Sequence, residues 1–276
     1  MDFPYEKQFK TYLLHQRFLA ENTMNDICQD VARLFKHLRG FNLSYRTNPS
    51  LSNIEEADIL DYLNMLQVKR EIKNSTYNKV LTHLNIYFEF IFTRRLSQTL
   101  PTAGIKGLKK EPDELLPLTW AANLEPLLAD DSISFYTRMT LLCLAHFYTI
   151  TEIIQKDFYQ VLAKEDFTIA EQNFLTNYRT QMEHLQNLQD CHDLFLKQRI
   201  NLADPRLTLP ALHKYFKKDQ PKIALPLKPQ KLYQANLFHY LLNHQTLPDK
   251  DLCARLRLTP ASLNYYRFEL AKQKLD

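Results

Sequence analysis

The side chains best equipped for chemistry gather in a few places. The most apolar stretch, AHFYTITEII (145–154), holds Thr149, Thr151 and Glu152 around a single Ile150. Polar groups in such a setting must cap, pair or react, because burial without a partner is costly. Metal chemistry has less to work with: Cys191, His192 and the upstream His184 make half a site, and no second ligand pair follows. The four cysteines (28, 143, 191 and 253) lack CxxC spacing, and three sit among apolar residues as small hydrophobes. No metal and no cofactor is expected. A phosphate-cradling loop needs glycines, and with only Gly40, Gly104 and Gly107 a P-loop or dinucleotide fold is excluded. Polyanion binding is left open by a net charge of +4 and by the basic runs IKGLKK (105–110) and HKYFKKDQPK (213–222).

These residues need helices to position them. The 276 residues suffice for one large or two medium domains. Met24, Ile27, Cys28, Val31, Leu34, Phe35 and Leu38 fall at helical spacing and paint one apolar stripe, ending near Gly40. In SNIEEADILDYLNML, Ser52 and Glu55 have capping-box spacing ahead of the apolar Ile59, Leu60, Leu63 and Leu66. NSTYNKVLTHLNIYFEFIF places Tyr77, Val80, Leu81, Leu84, Tyr87, Phe88, Ile91 and Phe92 on one side. With the opening FKTYLLHQRFL, four helices form a bundle over 1–100.

Residues 101–117, rich in proline and glycine and basic in the middle, are expected to be an exposed linker. A second domain spans 118–276. It should hold an apolar helix over about 133–156, a short strand pair near 158–172, a polar helical region over 176–200, and three helices started by proline. A last helix follows the cap Thr259 and carries Tyr265 and Tyr266. The opening MDFPYEKQF lacks the apolar core of a signal peptide, and LLCLAHFYTI is too short to span a bilayer. The expectation is a cytoplasmic protein with no membrane partner.

This layout resembles the tyrosine recombinases and phage integrases over nearly the whole chain. ENTMNDICQDVARLFKHL and NSTYNKVLTHLNIYFEFIF resemble the second and fourth helices of that family's core-binding domain, and LPTAGIKGLKK lies where its interdomain linker runs. The implied fold is mainly α: an N-terminal four-helix, SAM-like core-binding bundle, then a mostly helical recombinase-like C-terminal domain with at most a small β-sheet. The family's T-G-L-R-I-S-E-L turn is similar to HFYTITEI (146–153), with Phe147 at the glycine and Thr149 at the catalytic arginine. Its H-x-L-R-H motif is similar to QKLYQ (230–234), with Gln230 at the histidine, Tyr233 at the second arginine and Gln234 at the following histidine. Its L-G-H turn is similar to LRLTPASLNYYR, with Arg257 at the glycine and Leu258 at the histidine. The resemblance then sets Tyr266 at the nucleophile, or Tyr265 if the spacing slips. Lys164 is the candidate for the lysine that protonates the leaving oxygen.

Attack of tyrosine on a phosphodiester builds negative charge that paired arginines hold with fixed donors. Threonine and tyrosine supply no such charge, and losing one preorganised donor costs about 3–4 kcal/mol of barrier. The resemblance therefore implies duplex DNA as partner without cleavage. By the same comparison the second and fourth bundle helices face the duplex. Arg33, Lys36 and Arg39 would serve from the second, and Asn74, Ser75, Asn78, Lys79, Thr82 and His83 from the fourth. Lys106, Lys109 and Lys110 add linker charge. Three functions follow: an inactive, DNA-binding recombinase homologue, similar to degenerate Xer-like proteins of Gram-positive bacteria and acting in chromosome maintenance with a segregation or recombinase protein as partner; an active recombinase with an unusual site; or a helical protein-interaction module.

Overall fold

The computed structural model describes residues 2–109 and 116–273. It is mainly helical, as expected, and among the described residues the only β-pairing outside helices is an isolated antiparallel bridge between Leu196 and Arg206. The chain forms two compact units, Met1–Asp113 and Glu114–Asp276.

In the first unit, α1 (Glu6–His15), α2 (Glu21–Phe41), the short α3 (Leu43–Thr47), α4 (Glu56–Arg70) and α5 (Asn74–Thr93) surround one core. The whole α2 stripe from Met24 to Leu38 is buried. Tyr87 of α5 stands at the centre, ringed edge-on by Phe3, Phe9 and Phe35, and its hydroxyl donates to the Pro4 carbonyl at 3.0 Å. The cap of α4 differs from expectation. Glu55 is itself the cap, paired reciprocally with Asp58, whereas Ser52 belongs to a preceding 3-10 turn (Leu51–Asn53) capped by Ser50.

The start of the expected linker is not an exposed tether. Pro101 and Thr102 are buried, and Leu100, Ile105 and Leu108 pack on the first unit's core. Asn78 clasps the backbone of Leu108: its amide donates to the carbonyl at 2.7 Å, and its oxygen accepts from the N–H at 2.7 Å. Gly107 permits this approach, since a Cβ there would lie 3.0 Å from the Asn78 oxygen. Lys110, with the rest of 110–115, lies outside the described residues.

The second unit opens with a 3-10 turn (Leu118–Asn123) and α6 (Leu124–Ala129). The apolar helix expected over about 133–156 is two, α7 (Phe135–Ala145) and α8 (Ile150–Ile153), with a turn at 146–149 inside the 146–153 segment that the resemblance reads as a turn. The expected strand pair is absent. Its residues form α9 (Phe158–Leu162), a turn, and the start of α10 (Ile169–Gln189), whose box of Thr168 and Glu171 favours a helix instead. The proline signals hold for α11 (Leu209–Asp219), α12 (Pro229–Asn243), α13 (Asp249–Leu256, capped by Pro248) and α14 (Pro260–Gln273). α7 is buried on every face. Its N-terminus is fixed by fully buried Asp219, which accepts from Ser134 N–H at 3.0 Å, the Thr137 hydroxyl at 2.7 Å and Lys222 Nζ at 2.7 Å.

Candidate functional site

The turn after α7 explains the polar run in AHFYTITEII. Phe147 takes a left-handed φ of 63°, and Tyr148 N–H reaches back to the Cys143 carbonyl at 3.0 Å, the closure that usually employs glycine. Thr149 then caps α8. Its backbone N–H and hydroxyl both donate to Glu152 Oε2, at 2.7 and 2.6 Å. Glu152 is thus exposed and committed to a cap. It does not pair with Arg138, which bonds Asp131 and the Leu128 carbonyl.

A second turn of the same build ends α13. Arg257 has φ 57°, and Leu258 N–H closes on the Cys253 carbonyl at 3.0 Å. The guanidinium of Arg257 reaches the first turn. It lies over the Tyr148 ring at 4.0 Å from the centroid and donates to both the Tyr148 hydroxyl and Glu165. Glu165 also lies 3.7 Å from His146 Nδ1 and 3.9 Å from Arg255, and His146 Nε2 meets Glu171 at 3.0 Å. Burial by itself would raise the pKa of Glu165, but bonds from Tyr148 and Arg257 outweigh it and hold the carboxyl below its ordinary value. Glu171 is lowered in the same way by His146 and the Thr168 N–H. Burial pushes the Tyr148 phenol up, and Glu165 adds to the rise.

α12 completes the arrangement. Asn236, buried, donates to the Leu144 and Ala145 carbonyls at 3.2 and 2.9 Å, tying the last turn of α7 to α12. One turn earlier, Tyr233 is buried and meets the half-buried Tyr266 of α14 edge-on at 6.4 Å. Its phenol is pushed up mainly by burial, then by Tyr266 and Glu152, with Arg257 opposing. The Tyr266 phenol is likewise raised by burial. Gln230 is exposed on α12, Leu258 half-buried against the core, Tyr265 exposed and Lys164 exposed in the turn after α9. The structure therefore brings Thr149, Tyr233 and Tyr266 into the neighbourhood of Arg257. Sequence reasoning missed Glu165, Glu171, His146 and Asn236. The available signals were an asparagine three residues after Tyr233 within an apolar helix and the capping-box spacing of Thr168 and Glu171.

As a chemical site this neighbourhood is largely self-satisfied, His146 Nδ1 alone in it being buried without a hydrogen-bond partner among the described residues. The Thr149 hydroxyl serves Glu152, Arg257 serves Glu165 and Tyr148, and the tyrosine phenols are stabilised in their protonated form. Among the described residues no group of three or more His, Cys, Asp or Glu could hold a metal, and Cys191 donates to Asp193 at 3.6 Å. No described helix is long and apolar enough to cross a membrane.

The nucleic-acid face expected on the bundle is partly spent internally. His83 is buried, its Nδ1 2.8 Å from the equally buried Asp30, because α5 is apolar around more than the one face its spacing marks. Arg33 pairs with the same Asp30 at 3.0 Å, Lys79 with Asp26 at 3.0 Å, and Arg39 donates to the Asp2 carbonyl. Asn74 donates to the Lys109 carbonyl at 2.9 Å and Asn78 holds Leu108, so neither amide is free for bases. Lys36, Ser75, Thr82, Lys106 and Lys109 are exposed, with the Thr82 hydroxyl donating to its own helix at Asn78. The clasp lays the 105–109 segment along the first turns of α5.

No protein-family model matches the sequence, and no curated protein is similar to it. Two solved structures align over most of their length. A XerA recombinase crystal structure is 14% identical, covering 95% of this chain and 92% of that one, with a TM-score of 0.38. The integrase from mycobacterium phage Brujita is 13% identical, covering 97% and 91%, with a TM-score of 0.34.

Proposed function

We propose that this chain is a DNA-binding, catalytically inactive homologue of the tyrosine recombinases, acting in chromosome maintenance. One observation carries the reading: three sequence-distant motifs matched to that family's catalytic motifs by residue pattern alone converge in the folded second unit. The turn bearing Thr149 and the turn bearing Arg257 meet at Tyr148, the helix bearing Tyr233 is tied to the end of α7 through Asn236 and to Phe147 through Tyr240, and Tyr266 lies against Tyr233. Both residues set against family glycines, Phe147 and Arg257, have the left-handed φ that glycine adopts most easily. The same contacts support the reading of inactivity. Transfer of the phosphoryl group to Tyr266 would need a base for its proton, a donor for the leaving oxygen and a guanidinium on the phosphorane oxygens. Thr149 and Tyr233 carry no charge, and Arg257 is committed to Glu165.

A nicked suicide duplex tests the inactivity: no covalent adduct forms on Tyr265 or Tyr266, and an adduct found by mass spectrometry would make the chain an enzyme. Gel shifts with random duplex across a salt series test the binding, which should weaken steeply as phosphate contacts release counterions. The internal commitments of Asn74, Asn78, Lys79 and His83 favour a second reading, a helical protein-interaction module, and absence of salt-dependent duplex binding would select it.

A further inference from the structure

The second unit holds a cavity of about 520 Å³ between α6, α7 and α10 that the turns described above do not touch. Arg138 stands in its wall with a side chain only 8% exposed. A guanidinium buried in a core helix demands acceptors, and this one is under-supplied. Both hydrogen bonds it makes among the described residues leave from Nη1, to the Leu128 carbonyl at 3.0 Å and to Asp131 at 2.7 Å. The Asp131 side chain is 90% exposed, so solvent screens that pair. Nε is buried without a partner. The edge formed by Nε and the second terminal nitrogen, the fork that receives both oxygens of a carboxylate, therefore has no protein acceptor.

The opposite wall matches. Asn173, Asn177 and Gln181 recur at four-residue spacing on α10, so their carboxamides form one row along the cavity. None of the three finds a hydrogen-bond partner among the described residues. The Phe174 ring lies 5.6 Å below the guanidinium, and Phe135 adds a second aromatic surface. The volume is that of a small-molecule site.

We infer that this cavity binds a small organic carboxylate, the anion seated on the free edge of Arg138, a flat body against Phe135 and Phe174, and polar groups read by the α10 amides. Glu125 and Asp131 also line the cavity and repel anions, a doubly charged phosphate more strongly than a single carboxylate. The inference is independent of DNA binding.

The test is titration of the full-length, ¹⁵N-labelled protein with benzoate, read at the arginine Nε–Hε and the asparagine and glutamine side-chain resonances. Benzoate should shift the Arg138 Nε–Hε signal and the α10 amides saturably, and the isosteric benzamide should not. 4-Hydroxybenzoate, whose ring hydroxyl the α10 amides can bond, should bind about fivefold tighter than benzoate, and Asn177→Leu, on an exposed position that leaves the core intact, should erase that gain, the loss of one ordinary hydrogen bond. Arg138→Lys, which keeps the charge without the fork, should abolish saturation if it folds, and the Asn177 variant decides if it does not. A flat titration, an equal response to benzamide or inorganic phosphate, or an unchanged affinity of Asn177→Leu for 4-hydroxybenzoate would overturn the assignment.

Discussion

Arg257 carries two opposed contributions that a substitution series separates. Its left-handed backbone, φ 57°, costs a residue with a Cβ about 1 kcal/mol relative to glycine. Its guanidinium returns charge-assisted hydrogen bonds to Glu165 and Tyr148. Such bonds contribute about 1.5–3 kcal/mol when buried. The Arg257 side chain is 35% exposed and Glu165 keeps Arg255 and His146 within 4 Å, so about 2 kcal/mol is the appropriate figure. Arg257→Ala forfeits the bonds and keeps the strain, for a loss of about 2 kcal/mol. Arg257→Gly forfeits the bonds and relieves the strain, for a loss of about 1 kcal/mol. The order of stability is wild type, then glycine, then alanine, the reverse of what helix propensity would give for these two residues within a helix. Urea unfolding followed by tyrosine and tryptophan fluorescence resolves the difference, since Trp120 and most of the relevant tyrosines lie in the second unit. Alanine equal to or above glycine would refute the left-handed turn, and a wild-type value for both would refute the ion pair.

The remaining expectations concern packing and titration. Asp219→Asn should cost about 2 kcal/mol at neutral pH, because a buried carboxylate receiving Lys222, Thr137 and Ser134 is replaced by a neutral amide. Burial tends to raise its pKa, but those donors prevail and lower it, as they do for Glu165 and Glu171. Acids held below an unfolded value of about 4 bind fewer protons when folded, so their contribution is complete above about pH 5 and is lost as pH falls through 4 and below. Thermal melts of the wild type should fall over that window, and those of Asp219→Asn should fall less. Asn78→Ala should release the 105–109 segment, and trypsin should then cut after Lys106 and Lys109 several times faster with little change in the bundle's helicity. An unchanged cleavage rate would mean that Leu108 and Ile105 hold the segment without the clasp.

The bundle was legible because its stripes are simple: from Met24 to Leu38, every residue of the α2 stripe proved buried. Partners distant in sequence were not. Asp30 sits in the same α2 segment between Cys28 and Val31, and nothing local says that His83, 53 positions on, meets it at 2.8 Å. His83 consequently read as surface. Glu165 and Arg257 are 92 positions apart, and neither has a distinctive neighbourhood. The break at 146–149 was visible as polar residues in an apolar run, but α7 is buried on every face and the four-residue α8 buries only Ile153, so periodicity could not place the boundary. What ends it is the left-handed Phe147, a conformation that no side-chain pattern announces.

Placing arginine at 149 and 233, the positions the recombinase resemblance gives to arginines, tests whether the proposed inactivity is a matter of two side chains. Thr149→Arg removes the hydroxyl that caps α8 and frees Glu152, at about 1 kcal/mol. Tyr233→Arg sets a guanidinium where a phenol is only 6% exposed, packed near Tyr266 and beside Asn236 in a helix that braces α7. The nearest carboxylate in electrostatic reach, Glu152, is exposed, so desolvation goes largely uncompensated at a cost of several kcal/mol. Gln230 and Leu258 would still offer nothing to move protons. The double variant should therefore melt its second unit well below the wild type and form no adduct with a nicked duplex the parent binds. The two turns tolerate their left-handed residues because Phe147 is buried against Tyr240 and Arg257 is locked to Glu165, and those same contacts leave no uncommitted guanidinium at Tyr148. A folded double variant that cleaves would show that the pocket had been waiting only for its arginines, and the self-satisfied cluster would then have no bearing on activity.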